Sequence, residues 1–444
     1  MKRDRVCGTI VKNISLCAQK SQEYSERKIR MKIGKYSMGI GDRFGRQGAA
    51  QLQAIMTARE MGVDIDPVWN KSHREHEITG TAPTEQRLRA DEAVKRLDYS
   101  GRYFVDADHI GMDTVDRFLD HCDFFTLDVA DYLGVPPIDA AVDDFINTHN
   151  DLVGTHQIPG IERPLEISTE ELRRIAGRAL AAVSEAGRIY RHIESKKGRD
   201  TFITEVSMDE TNTPQTPVEL LVILAAIADE KIPAQTIAPR FSGRFNKGVD
   251  YVGDVDRFAR EFEADVAVID FAVSRFDLPR NLKLSIHSGS DKFSIYPAIG
   301  EGLRKFDAGI HLKTAGTTWL EELIGLAESG GSGLDIAREI YRKSYIKHAD
   351  LIKPYSAVVD IRIDRLPPPD AVARWSGEQF ADALRHDPSN PAYNRDLRQI
   401  LHVGYKIAAS MGARYLDALE EFDTVITTQV YDNILDRHIK RVFF

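Results

Sequence analysis

Residues able to do chemistry gather at the ends of strand-like runs. In RYFVDADHIG, Asp106, Asp108 and His109 crowd one such end. Strand alternation sends adjacent Asp108 and His109 to different sides, so one can bind a metal while the other handles a proton. Asp106 reads equally well as an N-cap or an ion-pair partner. In LKLSIHS, Lys283, Ser285 and His287 share a face, and Leu282, Leu284 and Ile286 take the other. The following Ser288-Gly289-Ser290 is expected to open a helix whose free amides hold an anion. AGIHLKTAG repeats the pattern with His311 and Lys313. A lysine buried there needs an anionic partner such as a substrate carboxylate; otherwise it snorkels to the mouth of the fold. In TFITEVSMDE, Glu205 points inward with Ile203 and Ser207, while Asp209 and Glu210 read as helix-start carboxylates. Histidines and a carboxylate on separate strands suit a divalent cation with open positions: zinc, manganese, cobalt or nickel. His73, His76, His192, His386 and His438 stand in polar context and are expected to face solvent, whereas His402 packs inward.

These residues need a scaffold that collects many strand ends. From Lys35 onward, strand-like runs alternate with helix-like periodicity, which implies parallel strands joined by helical crossovers. The glycine-rich stretch Gly39–Gly48 has Gly39 and Gly41 but Phe44 where a dinucleotide fingerprint needs its third glycine. Polar residues instead end at least five different runs, as in a (β/α)8 TIM barrel, whose site is built from strand C-termini. The expected organisation is an N-terminal extension over residues 1–34, the barrel over 35–344, and a mainly helical C-terminal part over 345–444 packed on it.

Composition narrows the class of partner. Among 444 residues, 68 acidic side chains exceed 59 basic ones, a net charge of −9 that disfavours nucleic acid. No apolar run approaches the ~20 residues of a membrane span. Cys7, Cys17 and Cys122 form neither a metal cluster nor a disulfide framework. The expectation is a cytoplasmic enzyme acting on a small molecule, free to form homo-oligomers.

VDADHI and LSIHSGS resemble the two metal segments of class II fructose-bisphosphate and tagatose-bisphosphate aldolases. Nearly the whole chain is similar to the tagaturonate/fructuronate epimerase family, through KYSMGIGDRFGRQGAAQLQA, FVDADHI, EVSMDETNTPQTPVELL, APRFSGRFNKGVDYVGD, LSIHSGSDKFSIYPAIGEGLRKF and HLKTAGTTWLEEL. That resemblance implies a metal-dependent interconversion of D-tagaturonate and D-fructuronate. Two departures from the aldolases stand out. APRFSGRFNKG lacks their middle histidine, so the third ligand must come from elsewhere, with His311 preferred and Glu205 the alternative. Asp291, in the turn corresponding to their phosphate loop, disfavours a phosphorylated substrate.

The stereocentre exchanged between the two keto-acids lies one carbon beyond the carbon next to the ketone, so the carbonyl does not acidify its C–H. Retro-aldol cleavage, rotation of the aldehyde and re-closure invert it with only a Lewis acid and acid/base groups. The expected roles are His109, His287 and His311 on the metal, with Asp108 and Glu205 moving protons. Lys313, Arg240, Lys247 and Ser288 are expected to bind substrate. An aldolase that releases the two fragments is the alternative.

Overall fold

The computed structural model describes residues 31–209, 211, 213–314 and 316–444. Cys7, Cys17 and nearly all of the expected N-terminal extension lie outside the described residues. Strands β1 (Tyr36–Gly41), β2 (Ile65–Ser72), β3 (Phe104–Ile110) and β4 (Phe124–Asp128) come first. A small antiparallel hairpin follows, made of β5 (Gly154–His156) and β6 (Leu165–Ile167). Then come β7 (Ile203–Ser207), β8 (Thr236–Ala238), β9 (Lys283–Ile286) and β10 (Ile310–Lys313). All but the hairpin close into one parallel eight-stranded barrel, with β10 paired back onto β1. With its flanking helices this is the (β/α)8 barrel.

Alternation along the strands sets what lies inside. Val105, Ala107, Phe125, Leu127 and Val206 join the large core between barrel and helices. Their neighbours Phe104, Phe124 and Ile203 turn the other way and meet Ile33 and Val68 in a separate apolar cluster. Two residues further along the same faces come Asp106, Thr126 and Glu205, all fully buried. The interior is thus an apolar plug with a layer of charge above it, which places the polar layer toward the strand C-termini.

Helix starts are written locally. Thr216 caps the helix Pro217–Asp229 in a box with Glu219, and Pro217 takes the position where no amide hydrogen is missed. Beyond β10 the helices build a second apolar core around Trp319, Tyr341, Leu397, Tyr405 and Tyr415. The chain end returns to the barrel's own core through Ile434, Leu435, Ile439 and Val442. Among the described residues no helix is long and apolar enough to cross a membrane.

Three histidines expected at the surface are buried: His76, His386 and His438. His76 bonds Thr81 at 2.9 Å and Gln86 at 3.2 Å, and His438 sits against Asp291 under the last helical segment. Glu77 beside His76 and Asp436 near His438 face solvent on the other side of their helix turns, whereas His386 lies in the loop after the helix Gly377–Leu384. His402 does pack inward, as its context implies.

Candidate active site

At the end of β3 the regular ladder breaks. The pairing with β4 shifts between Ala107 and Ile110, and His109 adopts a left-handed backbone with φ of 52°. A bulge of this kind re-aims a side chain, and a non-glycine residue at positive φ marks a place where geometry overrides local preference. Asp108 and His109 consequently face the same cavity, rather than opposite sides as simple alternation requires. Ser288, just past β9, is likewise left-handed at φ of 49°.

The cavity, about 680 Å3, opens at the barrel mouth. On its floor His109, His287 and Asp209 bring ligand atoms within 4.8 Å of one another. His287 Nδ1 lies 3.1 Å from Asp209 Oδ1, and its Nε2 lies 2.8 Å from Glu205 Oε1. His109 Nδ1 is 3.3 Å from Asp128 Oδ2. Behind them Lys313 Nζ reaches Asp108 at 2.7 Å, Glu205 at 2.9 Å, Asp106 at 3.0 Å and the Thr126 hydroxyl at 2.6 Å.

Charge in this cluster is unevenly shared. Burial opposes a proton on His109, but Asp108 and Asp128 outweigh it and hold the pKa at about 10. His287 is likewise buried, and Asp209 with Glu205 lifts it to about 9. Burial pushes Asp106 up to about 7 despite Lys313. Asp108 is equally desolvated, yet Lys313 and His109 draw it down to about 2. The anionic surround therefore holds protons on two imidazoles that could instead be ligands. Two nitrogens and a carboxylate oxygen in a pocket that demands positive charge fit a divalent cation, which would bind with release of those protons.

A family model described as tagaturonate epimerase matches residues 6–443. The chain belongs to the tagaturonate epimerase family. Membership makes it an isomerase. A tagaturonate/fructuronate epimerase of Thermotoga maritima is 27% identical over 425 residues, covering 91% of this chain and 79% of that one. The fold also matches fructuronate-tagaturonate epimerase crystal structures from Cohnella laeviribosi. One, complexed with two glycerols, gives a TM-score of 0.75 at 24% identity over 92% of this chain and 81% of the other. The native form gives 0.74 at 23% identity, over 93% and 83%. These two likenesses speak to fold.

In this epimerase-family chain the residues singled out from sequence are not all brought together. Asp108, His109 and His287 share the mouth with Lys247, Ser288 and Lys313. His311 lies outside the His109–Asp209–His287 group. It precedes Lys313 by two residues on β10, is fully buried, and bonds Ser37 at 2.9 Å through Nδ1. Burial pushes its pKa down to about 3. Glu205 lies beneath the cavity floor, also fully buried, and meets the site through His287 and Lys313.

A second cavity of about 300 Å3 continues from the first and shares Arg74, Asp209, Lys247, His287 and Ser288 with it. Arg240 also lines it, donating to the Asp209 carbonyl at 3.1 Å. The turn after β9 is not a helix start, since the next helix begins at Tyr296. Two of its amides are already used: Gly289 donates to the Lys313 carbonyl at 2.9 Å, and Asp291 to His438 at 3.0 Å. The Asp291 carboxylate is itself fully buried against Arg398, so it presents no charge to the mouth.

Sequence reasoning missed Asp209 as a ligand candidate. The sequence offered one partial signal, the period-two face of Glu205, Ser207 and Asp209, which competes with a helix-start reading until the helix is seen to begin at Pro217.

Proposed function

We propose that the protein interconverts D-tagaturonate and D-fructuronate in the cytoplasm, using a divalent metal and reversible carbon–carbon cleavage. The observation that carries this reading is the convergence of His109, Asp209 and His287 on the cavity floor beside Asp108. Bound by those three, a divalent cation would act as a Lewis acid toward the ketone and hydroxyl oxygens. The remaining work falls to side chains. Asp108, kept ionised by Lys313, accepts the proton of the hydroxyl on the carbon to be inverted. The bond between that carbon and the one next to the ketone breaks, and its electron pair passes to the ketone fragment as an enediolate. The other fragment becomes an aldehyde that still carries the carboxylate. Turning about its remaining carbon–carbon bond presents the opposite face, the bond re-forms, and the proton returns from Asp108.

The fragment that turns must stay bound by its anionic end. Lys313 is poorly placed for that, because three carboxylates already surround it. Arg240 and Lys247 line the smaller lobe and have no carboxylate partner among the described residues. They are the proposed carboxylate anchors, with Ser288 at the junction of the lobes.

Purified protein given D-tagaturonate should form D-fructuronate, with both keto-acids resolved chromatographically. Chelation should abolish the reaction and lower the melting temperature, because a ligand bound only by the folded state stabilises it by mass action. Undiminished turnover in thoroughly chelated protein would refute metal dependence.

Ligand and proton roles separate by substitution. Asp209→Asn should lose metal, and His311→Gln should keep it. Glu205 accepts from the far nitrogen of His287, the position of a group that orients a ligand. Glu205→Gln should weaken metal affinity about 10–100-fold, with turnover recovered at excess metal. If metal instead stays bound and turnover falls about 10²–10⁴-fold, Glu205 is a proton-transfer group.

A further inference from the structure

The segment carrying Lys247 is held by two buried cations, one of which comes from the C-terminal helices. Arg398, on the helix Arg395–Val403, is fully buried. It donates to the carbonyl of Gly248 at 2.6 Å and to that of Leu384 at 2.7 Å, and its remaining amino group bonds the Asp291 carboxylate. Lys292 is also buried, and its ammonium donates to the carbonyls of Asn246 at 3.0 Å, Val249 at 2.7 Å and Ser290 at 2.8 Å. Three of the four carbonyls in residues 246–249 are thus tied to two charges. The amide of Lys247 is tied as well, to the Val358 carbonyl at 2.8 Å.

This is more than a generic clamp between barrel and helices. The irregular segment 246–249 lies outside the barrel strands, and buried carbonyls there must find donors. Both cations also grip the turn after β9, through Asp291 and Ser290, and that turn begins with His287 and Ser288. Gly248 makes the bend possible at φ of 75°, and a β-carbon there would stand 3.1 Å from the His402 ring. The two loops that bound the smaller lobe are therefore fixed to each other as one body.

We propose that Arg398 and Lys292 are positioning residues, which set the distance between the Lys247 ammonium and the His287 end of the site and so the affinity for the substrate's anionic end. The inference rests on the reading that Lys247 engages the carboxylate.

The test is a double-mutant cycle on metal-saturated protein, with Lys247→Met, Arg398→Lys and the pair combined, reading KM, kcat and metal content. Lysine at 398 lacks the planar fork whose separate nitrogens reach Gly248, Leu384 and Asp291. Each single change should raise KM on the order of tenfold, what one charge-assisted hydrogen bond is worth. Metal content should be unchanged, and any fall in kcat should be no larger in Arg398→Lys than in Lys247→Met. The combined protein should show no rise in KM beyond that of Lys247→Met alone, because the arginine acts through the lysine. Multiplying KM effects, or a fall in kcat at constant KM, would overturn the positioning role while leaving Lys247 as anchor. A Lys247→Met protein with unchanged KM would remove the anchor itself, and the positioning role with it. Should Arg398→Lys fail to fold, Gly248→Ala strains the same segment without touching a charge. It should reproduce the rise in KM, and a wild-type KM there would count against the proposal.

Discussion

Lys313→Met should be among the most destabilising single changes in the protein, and should cost turnover rather than substrate affinity. The ammonium is the shared partner of Asp106, Asp108 and Glu205, and all four side chains are buried. Removing one member of a buried ionic cluster leaves uncompensated charge, at about 3–5 kcal/mol. Against a total stability of roughly 5–15 kcal/mol, that is a large fraction. The pH dependence has a definite sign. Asp108 and Glu205 are held below the ordinary carboxylate range, chiefly by Lys313 acting against their burial. Groups with depressed pKa values contribute stability above their unfolded pKa and lose it as pH falls through the folded one. The gap between wild type and variant should therefore be widest at neutral and alkaline pH and close toward acid. Urea denaturation at a series of pH values measures it. Adding Asp108→Asn should recover part of the loss, since the carboxylate that Lys313 holds ionised is then gone. A variant with wild-type stability and only a raised KM would return Lys313 to the substrate-carboxylate role that its sequence context suggests.

That contrast shows what a sequence can and cannot expose. Period-two faces in VDADHI, LSIHS and IHLK announce parallel strands with polar inner ends, and the barrel follows from their number and spacing. The same periodicity places Lys313 inside, but does not say that three carboxylates from β3 and β7 meet it there. Alternation also misdirects at His109, because the bulge that turns the ring into the cavity depends on pairing with β4. Asp209 carries a residue type that helix starts and metal sites both use, and only the observed helix boundary separates the two. Asp291 and Arg398 stand 107 residues apart, so no local pattern can pair them. Arg398 and Gln399 in LRQILHV give no local sign of burial, yet both are fully enclosed. Local rules recover elements and inner faces. Charge partners across the barrel need the fold.

Carbon–carbon cleavage makes a prediction that neither a hydride route nor direct deprotonation of the inverted carbon shares. If the bond next to the inverted carbon breaks, the hydrogen on that carbon never leaves it. Substrate deuterated there should epimerise with the label fully retained and without a primary isotope effect. A hydride route breaks that C–H bond and shows a primary effect even when the same deuterium returns. A deprotonation route loses label to solvent. The fragments give an independent check: dihydroxyacetone and tartronate semialdehyde, supplied together, should be joined slowly into both keto-acids. On this mechanism Asp108 would set how fast the cycle starts. Its carboxylate faces the cavity, and Lys313 with His109 keeps it ionised. Asp108→Asn preserves shape but cannot accept the hydroxyl proton, so turnover should fall about 10²–10⁴-fold with metal still bound. The same variant should slow the joining of the two fragments to a similar degree, because that reaction passes through the same proton transfer in reverse. Equal loss in both directions ties Asp108 to the cleavage step. Loss in epimerisation alone would place it instead in the turning of the aldehyde.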